Sequence, residues 1–359
     1  MRKFLSILAL ALGFVACQNE PVETVTNADL VDVTLCLEAP ELSATRADGD
    51  GINGRNSALG GIDFMTDADW ANYDIRYILE VYAADDVDGT NGPIYLQRMV
   101  NCLDKYAPTT FALRLVPGRS YKFVVFADFV AEGNAAITEP ADRLNISDLY
   151  YNTADLRNIS AIRNQPTWNA MNEIRDAYFV SEVVAIDGLG LTKSLTLTRP
   201  FAKLRVITTD LDYISAYATP ARVKVTYTSD VYNSFNAVSG ELNATTMTGS
   251  ELVYDYAVGK TIPYSDGYDA SSTNQTLFSD FLLAREGQQS PVTFDMEVYD
   301  ANGTLLKATE FNTQIPVQRN HLTTIIGDLL TTQTNIVIDI NDDFVDEFVI
   351  GAGDVKMLS

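Results

Sequence analysis

The stretch Val31-Asp32-Val33-Thr34-Leu35-Cys36-Leu37-Glu38 alternates apolar and more polar side chains without interruption. Successive side chains of an extended chain point to opposite faces, so this alternation predicts a β-strand with one buried face. A strand of this kind needs a partner layer to cover its apolar side. The residues on the predicted buried face are Val31, Val33, Leu35 and Leu37.

Further runs of strand-forming residues follow this stretch along most of the chain. Residues 75–82, 120–127, 221–227 and 292–299 are examples, and Pro117-Gly118 is a strong turn signal between two such runs. Many short strands with few helices predict an all-β chain that is built from β-sandwiches.

Residues 139–178 have a different pattern, in which isolated apolar residues are set among Asn, Asp and Arg. This pattern predicts an irregular segment with short helical turns. The length of the chain predicts two tandem domains, an N-terminal β-sandwich over residues 47–209 and a C-terminal one over residues 210–359.

The N-terminus has the features of a bacterial lipoprotein signal peptide, which is predicted to span residues 1–17. Arg2 and Lys3 precede an apolar run that extends to Val15, and the run is too short for a transmembrane helix of ~20 residues. Cys17 then follows as the predicted site of lipid attachment, although Phe14 stands where a lipobox usually has Leu. Cleavage as an ordinary secretory signal is the alternative.

A basic residue in a loop of small residues follows the first predicted strand. The sequence Ser43-Ala44-Thr45-Arg46-Ala47-Asp48-Gly49 predicts a proteolytic site between Arg46 and Ala47, and Arg55 is the second candidate. Residues 18–46 would then be a propeptide that carries a removable strand. The alternative is that this strand stays in place as the first strand of a sandwich.

The composition excludes some partners. The formal net charge of −23 repels nucleic acid and anionic membranes, and 47% hydrophobic residues indicate a globular chain. The cysteines are Cys17, Cys36 and Cys102, and cleavage at Arg46 would leave Cys102 alone. We therefore expect no intramolecular disulfide and a buried thiol at Cys102.

The sequence contains no complete motif for catalysis, for a cofactor or for a metal site. The single histidine, His321, lacks a nucleophile motif and is expected at a strand end on the surface. The loop beginning at Asp86 resembles part of a calcium loop but lacks the distal Glu, so a hairpin loop is preferred. The carboxylates from Asp339 to Asp343 offer a weaker calcium alternative. We expect no enzyme and no cofactor.

Two longer motifs carry a resemblance to a known family. They are Arg199-Pro200-Phe201-Ala202-Lys203-Leu204 and the segment Ile315-Pro316-Val317-Gln318-Arg319-Asn320-His321-Leu322-Thr323-Thr324-Ile325-Ile326-Gly327-Asp328-Leu329-Leu330-Thr331. With the lipoprotein leader and Arg46, they resemble the fimbrillin-like lipoproteins of Bacteroidales, the subunits of type V pili. The resemblance implies two transthyretin-like β-sandwiches, with the first motif closing the first domain. It also implies an Arg-specific protease, removal of the first strand, and its replacement by a strand of a neighbouring subunit.

The function expected from these features is that of a structural pilin that supports adhesion or biofilm. Its expected partners are other pilin subunits, the outer membrane before cleavage, and the protease, and its expected final location is a cell-surface fimbrium. The alternative is a monomeric surface lipoprotein that binds glycan. The donor strand is predicted in the C-terminal tail, at Phe344, Phe348 and Ile350, with a last strand of the second sandwich as the other interpretation.

Overall fold

The computed structural model describes most of the chain between residues 30 and 350. The described residues are 30–37, 72–95, 98–104, 108–163, 173–211, 219–244, 246–247, 249–255, 275–331, 337–341 and 349–350. Among these residues, no helix is both long enough and apolar enough to cross a membrane.

Almost all regular structure in the described segments is β. The strands are β1 (Val31–Leu37), β2 (Tyr73–Ala83), β3 (Met99–Leu103), β4 (Thr109–Leu115), β5 (Arg119–Ala131), β6 (Tyr151–Asn152), β7 (Ile159–Ala161), β8 (Ala177–Ile186), β9 (Leu191–Leu195), β10 (Phe201–Thr208), β11 (Pro220–Tyr227), β12 (Val231–Tyr232), β13 (Ser234–Asn236), β14 (Glu241–Leu242), β15 (Thr246–Met247), β16 (Glu251–Asp255), β17 (Gln275–Leu283), β18 (Val292–Asp300), β19 (Leu305–Ile315), β20 (Leu322–Gly327), β21 (Val337–Asn341) and β22 (Val349–Ile350). In the described part of the chain, the helical elements are one α-helical turn, Pro140–Arg143, and two 3-10 turns, Leu156–Asn158 and Glu173–Arg175. The predicted all-β class and the short helical turns of the irregular segment are confirmed.

The N-terminal sandwich packs a three-stranded sheet, in the order β4-β1-β9, on a four-stranded sheet, in the order β3-β2-β5-β8. Alternate residues of β2, including Tyr77 and Leu79, join Phe123 and Phe111 in the core between the two sheets. The strand predicted over residues 31–38 is present as β1, and it is the middle strand of the smaller sheet.

The C-terminal sandwich packs a seven-stranded sheet, in the order β15-β12-β17-β10-β20-β21-β22, on a four-stranded sheet, in the order β16-β11-β18-β19. Aromatic side chains fill its centre. The ring of Phe294 lies 4.5 Å from that of Phe311, 5.4 Å from that of Phe278 and 5.9 Å from that of Tyr227, measured between centroids.

Strand β10 begins within the motif of residues 199–204 and lies in the seven-stranded sheet of the C-terminal sandwich, while the domain boundary at residue 209 stays a prediction. All residues of Phe201–Thr208 are buried, and the strand pairs antiparallel with β17 and parallel with β20. An apolar strand needs hydrogen-bonding partners on both edges when it is fully buried. Both partners of β10 belong to the C-terminal sandwich, so β10 is a strand of that sandwich along its whole length.

A further small sheet, in the order β14-β13-β7-β6, joins the irregular segment to the C-terminal half. Phe235 of β13 pairs with Ile159 of β7, although the two residues are far apart in sequence. The hydrophobic contacts are continuous from Phe126 of β5, through Tyr151 and Phe235, to the core of the C-terminal sandwich. The outer face of the N-terminal four-stranded sheet is therefore covered, which explains why β2 is buried on both faces.

Candidate functional site: the slot that holds strand β1

Strand β1 is held along both of its edges. It pairs antiparallel with β4, from Val31 opposite Leu115 to Leu37 opposite Thr109. It also pairs parallel with β9, from Val33 opposite Leu191 to Leu37 opposite Leu195. Within the described segments, β4 and β9 each have β1 as their only partner strand. We call the space between β4 and β9, which β1 fills, the β1 slot.

The inward face of β1 is among the most buried parts of the N-terminal core. Val33, Leu35 and Leu37 are 1%, 0% and 1% exposed, and Val31 packs partly buried at the margin of the same cluster. Full burial of a large aliphatic side chain stabilises by roughly 1.5–3 kcal/mol. The three innermost residues together therefore contribute roughly 5–9 kcal/mol to holding β1 in place.

The outer face of β1 is held by weaker contacts. Asp32 and Arg114 form an ion pair at 3.4 Å, with side chains that are 91% and 48% exposed, so it adds little to stability.

The turn before β9 lies close to the β1 backbone at Gly190, which has φ +87°. A Cβ atom at this position would lie 2.6 Å from the carbonyl oxygen of Asp32, so this approach requires glycine.

The β1 slot combines two backbone edges with a row of apolar pockets. Without β1, the facing edges of β4 and β9 would present unpaired amide and carbonyl groups across a gap of about two strand spacings, each ~4.8 Å. The pockets of Val33, Leu35 and Leu37 would be open at the same time. Any extended segment with alternating apolar residues could satisfy both the backbone groups and the pockets.

Most of the other predicted site residues lie outside the described residues, namely Cys17, Arg46, Ala47, Phe344 and Phe348. The described part of the C-terminal tail is β22, which pairs antiparallel with β21, with Ile350 opposite Ile338. The tail is thus an edge strand of its own sheet in this structure, the arrangement expected of a last strand of the second sandwich.

His321, Asp86 and Asp88, which were considered for catalysis or metal binding, form hydrogen bonds with neighbouring residues of the chain. His321 is half-buried, and its ring nitrogens lie 2.6 Å from the Arg319 carbonyl oxygen and 3.1 Å from the Gln318 amide, in the turn before β20. Asp86 and Asp88 accept hydrogen bonds from backbone amides of their own loop. Within the described ranges, no group of three or more His, Cys, Asp or Glu side chains could hold a metal ion.

Cys102 is 4% exposed, which confirms the prediction of a buried thiol. Burial raises its pKa to about 12, so the thiol stays protonated and unreactive at neutral pH.

Sequence reasoning missed a buried ionic cluster that joins the irregular segment to the C-terminal sandwich. The carboxylate of Asp280, on β17, accepts hydrogen bonds from Arg163 at 2.7 Å, Arg175 at 2.6 Å and Tyr227 at 3.0 Å. Burial alone would raise the pKa of Asp280, but the two guanidinium groups outweigh this effect and hold its pKa below the usual value. The available signal was a charged residue, Asp280, next to the apolar run Phe281-Leu282-Leu283 of β17.

We expect Asp280→Asn to destabilise the protein by about 3–5 kcal/mol, because it leaves two buried guanidinium groups without their counter-charge. Chemical denaturation at neutral pH measures this change. A lowered folded-state pKa gives stability that is present above the unfolded pKa and lost as the pH falls through the folded one. The variant should therefore lose less stability on acidification than the original chain.

The matched control is Asp295→Asn, which makes the same change on a half-buried residue of β18 beside Glu310 and Glu297. Burial and these like charges raise the pKa of Asp295. Its neutralisation should leave stability unchanged or slightly increased. Equal losses in the two variants would show that the Asp280 cluster has no special role.

Comparison with known proteins places this two-sandwich β protein in a family. Residues 24–357 match the model of a family of unknown function (DUF6562), and the chain belongs to this family. No curated protein matches the chain.

Solved structures from Bacteroidales resemble the chain at low sequence identity. One is a candidate cell adhesion protein from Bacteroides ovatus, with 13% identity, a TM-score of 0.44, and 88% of this chain and 98% of that one covered. Another is a fimbrial assembly protein from Parabacteroides distasonis, with 12% identity, a TM-score of 0.37, and 89% and 99% covered. A third is the fimbrial anchor protein Mfa2 from Porphyromonas gingivalis, with 10% identity, a TM-score of 0.39, and 89% and 100% covered.

Proposed function

We propose that this chain is a fimbrial subunit of the bacterial surface. In this proposal it is exported as a lipoprotein attached to the outer membrane through Cys17 and is cut after Arg46 by an Arg-specific protease. It then polymerises with copies of itself or with other subunits, and the fimbrium supports adhesion or biofilm. A strand of a neighbouring subunit replaces β1 in the β1 slot. The family resemblance of the leader and of residues 315–331 supports this proposal.

The observation that carries the proposal is the position of β1 relative to Arg46. β1 is the middle strand of its sheet, yet residues 38–72 separate it from β2, and Arg46 lies within that connection. A cut after Arg46 would break the covalent tie to β1 without breaking any described strand. The excised segment would then be held by non-covalent contacts alone.

Cleavage would change the energetics of β1 even if every contact stayed the same. A tethered strand that leaves its slot rebinds at the high effective concentration set by its connection. A cut strand that dissociates keeps its link to the lipid at Cys17 but has no covalent link to the rest of the subunit, so no connection favours its return to the slot. Another strand can then occupy the open edges, which otherwise invite non-specific pairing.

The experiment that tests the proposal is determination of the N-terminus of the mature protein from the cell surface. A subunit processed as proposed begins at Ala47, which N-terminal sequencing or mass spectrometry of isolated fimbriae identifies. A surface protein that begins at lipidated Cys17 would instead support the monomeric lipoprotein.

We also expect the tail to act as the donor strand. β22 is only two residues long and pairs with β21 at the margin of the seven-stranded sheet, so its release breaks few backbone hydrogen bonds. Deletion of residues 344–359 from a chain already cut after Arg46 should leave folded monomers that do not assemble, as measured by light scattering. Deletion of residues 352–359 alone, which keeps β22, is the control and should assemble. Equal polymerisation of both deletions would exclude the tail as donor.

A further inference from the structure

A pocket opens beside the seven-stranded sheet of the C-terminal sandwich, on a different sandwich from the β1 slot. Its volume is about 310 Å³. Strands β12 and β15, the end of β17 and the loop of residues 284–291 between β17 and β18 form its walls. Binding pockets for small molecules begin at about this size, roughly 300 Å³.

The pocket has an apolar floor and a polar rim. Buried side chains form the floor, and they are Val231, Leu282, Leu283, Val292 and Val317. Side chains that can donate or accept hydrogen bonds form the rim, and they are Asp230, Thr246, Arg285, Gln288, Gln289 and Ser290. Such a division suits a ligand with one apolar face and several hydroxyl groups around its edge.

Tyr232 lies between the floor and the rim. It is half-buried, and its hydroxyl accepts a hydrogen bond from the Arg285 guanidinium at 3.0 Å. The guanidinium carbon also lies 5.7 Å from the centre of the Tyr232 ring. These two contacts fix both side chains relative to each other, so the pocket presents a positioned aromatic ring rather than a mobile one.

The loop wall is held in place by the segment that precedes β20. The Ser290 amide donates to the Val317 carbonyl at 2.7 Å, and the Arg319 amide donates to the Arg285 carbonyl at 3.2 Å. The Arg319 side chain is buried, and its Nε donates to the Ala284 carbonyl at 3.0 Å. Both ends of the loop are therefore anchored, and the pocket exists before any ligand binds.

The charges at the rim select against an ionic ligand. Arg285 brings one positive charge and Asp230 one negative charge to the same opening. The net charge of the whole chain, −23, further disfavours an anion. The side-chain amides of Gln288 and Gln289 can both donate and accept, as recognition of hydroxyl groups requires.

We propose that this pocket binds one ring of a neutral saccharide. The apolar face of the sugar ring packs on Tyr232 and the floor, while its hydroxyl groups bond to the amides and Arg285 at the rim. This binding is independent of strand exchange, because the pocket and the β1 slot share no residue. The chain would thus bind sugar both before and after cleavage.

The test uses saturation-transfer difference NMR on the purified full-length chain. The probes are the methyl glycosides of glucose, galactose, mannose and N-acetylglucosamine, with glucuronic acid as the charged comparison. We expect saturation transfer to at least one neutral glycoside. In Tyr232→Ala and in Arg285→Ala, we expect its Kd to rise by about tenfold or more.

The control is Tyr299→Ala, which removes a tyrosine at the opposite end of β18 from Val292. Its binding should equal that of the original chain. Three outcomes would each overturn the proposal: no transfer to any neutral glycoside, binding of glucuronic acid alone, or neutral binding that survives both pocket substitutions. Circular-dichroism spectra and melting curves of the two pocket variants serve as the folding control. If both match those of the original chain, a loss of binding reflects the changed pocket and not unfolding.

Discussion

The variant Arg46→Ala is expected to form no fibres and to accumulate as full-length lipoprotein. Without the basic side chain, an Arg-specific protease has no substrate at this position, and β1 stays tethered in its slot. The contacts of β1 are worth several kcal/mol, at roughly 1.5–3 kcal/mol for each buried side chain, so a tethered strand rarely leaves. Electron microscopy of cells and the mass of the surface protein measure the two effects.

The matched control is Arg55→Ala, which removes the next arginine in the same connection between β1 and β2. This variant should mature and assemble like the original chain. Long fibres formed by Arg46→Ala would show that cleavage at this residue does not license assembly. If Arg55→Ala alone blocked assembly, the cut would lie after Arg55 instead.

The variant Leu35→Asp is expected to destabilise the uncut precursor by at least about 4 kcal/mol, because it places an unpaired carboxylate in an apolar core. Leu35 is 0% exposed and belongs to the cluster that contains Phe111, Tyr77 and Phe123. Chemical denaturation of the precursor measures this loss.

The control for this variant is Thr34→Asp, which adds the same carboxylate one residue away on the outer face of β1. Thr34 is half-buried opposite Ala112, and its substitution should change stability by only about 0.5 kcal/mol. Leu35 precedes Arg46, so material that has been cut and has released β1 has the same sequence in both variants. An unchanged melting temperature of the Leu35→Asp precursor would contradict the role given to β1.

Local pattern was sufficient to predict the β1 strand and the all-β class. The alternating side chains of residues 31–38 predict a strand with one buried face. β1 has this face in the structure, with Val33, Leu35 and Leu37 buried. β11 and β18 also alternate buried and more exposed residues along most of their length, and both were predicted as strand-forming runs. In each case the burial of one strand follows from its own sequence.

Pairing between distant segments was not predictable in the same way. Nothing in the sequence of residues 201–208 specifies that the neighbours of this strand are β17 and β20. The backbone edge of a buried strand can pair with any other strand of suitable length and side chains. The choice of partner strands depends on the topology of the whole domain, which a local sequence pattern does not contain.

Buried charges were missed for a related reason. A polar residue in a strand normally indicates the solvent face. Asp280 is instead 0% exposed, because Arg163 and Arg175 from the irregular segment reach it. The complementary charges lie more than a hundred positions apart in the sequence. Only the assembled structure brings them together.

The mixed pairing of β1 would give an assembled fibre a polarity. A strand that enters the β1 slot in the direction of β1 runs antiparallel to β4 and parallel to β9, whereas a reversed strand meets a different hydrogen-bond pattern on each edge. If each subunit receives a strand in its N-terminal sandwich and gives one from elsewhere, the contact is heterologous and does not close on itself. One end of such a fibre then carries an empty slot and the other an unused strand. Growth or capping at the first end would require a molecule that supplies a strand. Growth or capping at the other end would require a molecule that supplies a slot.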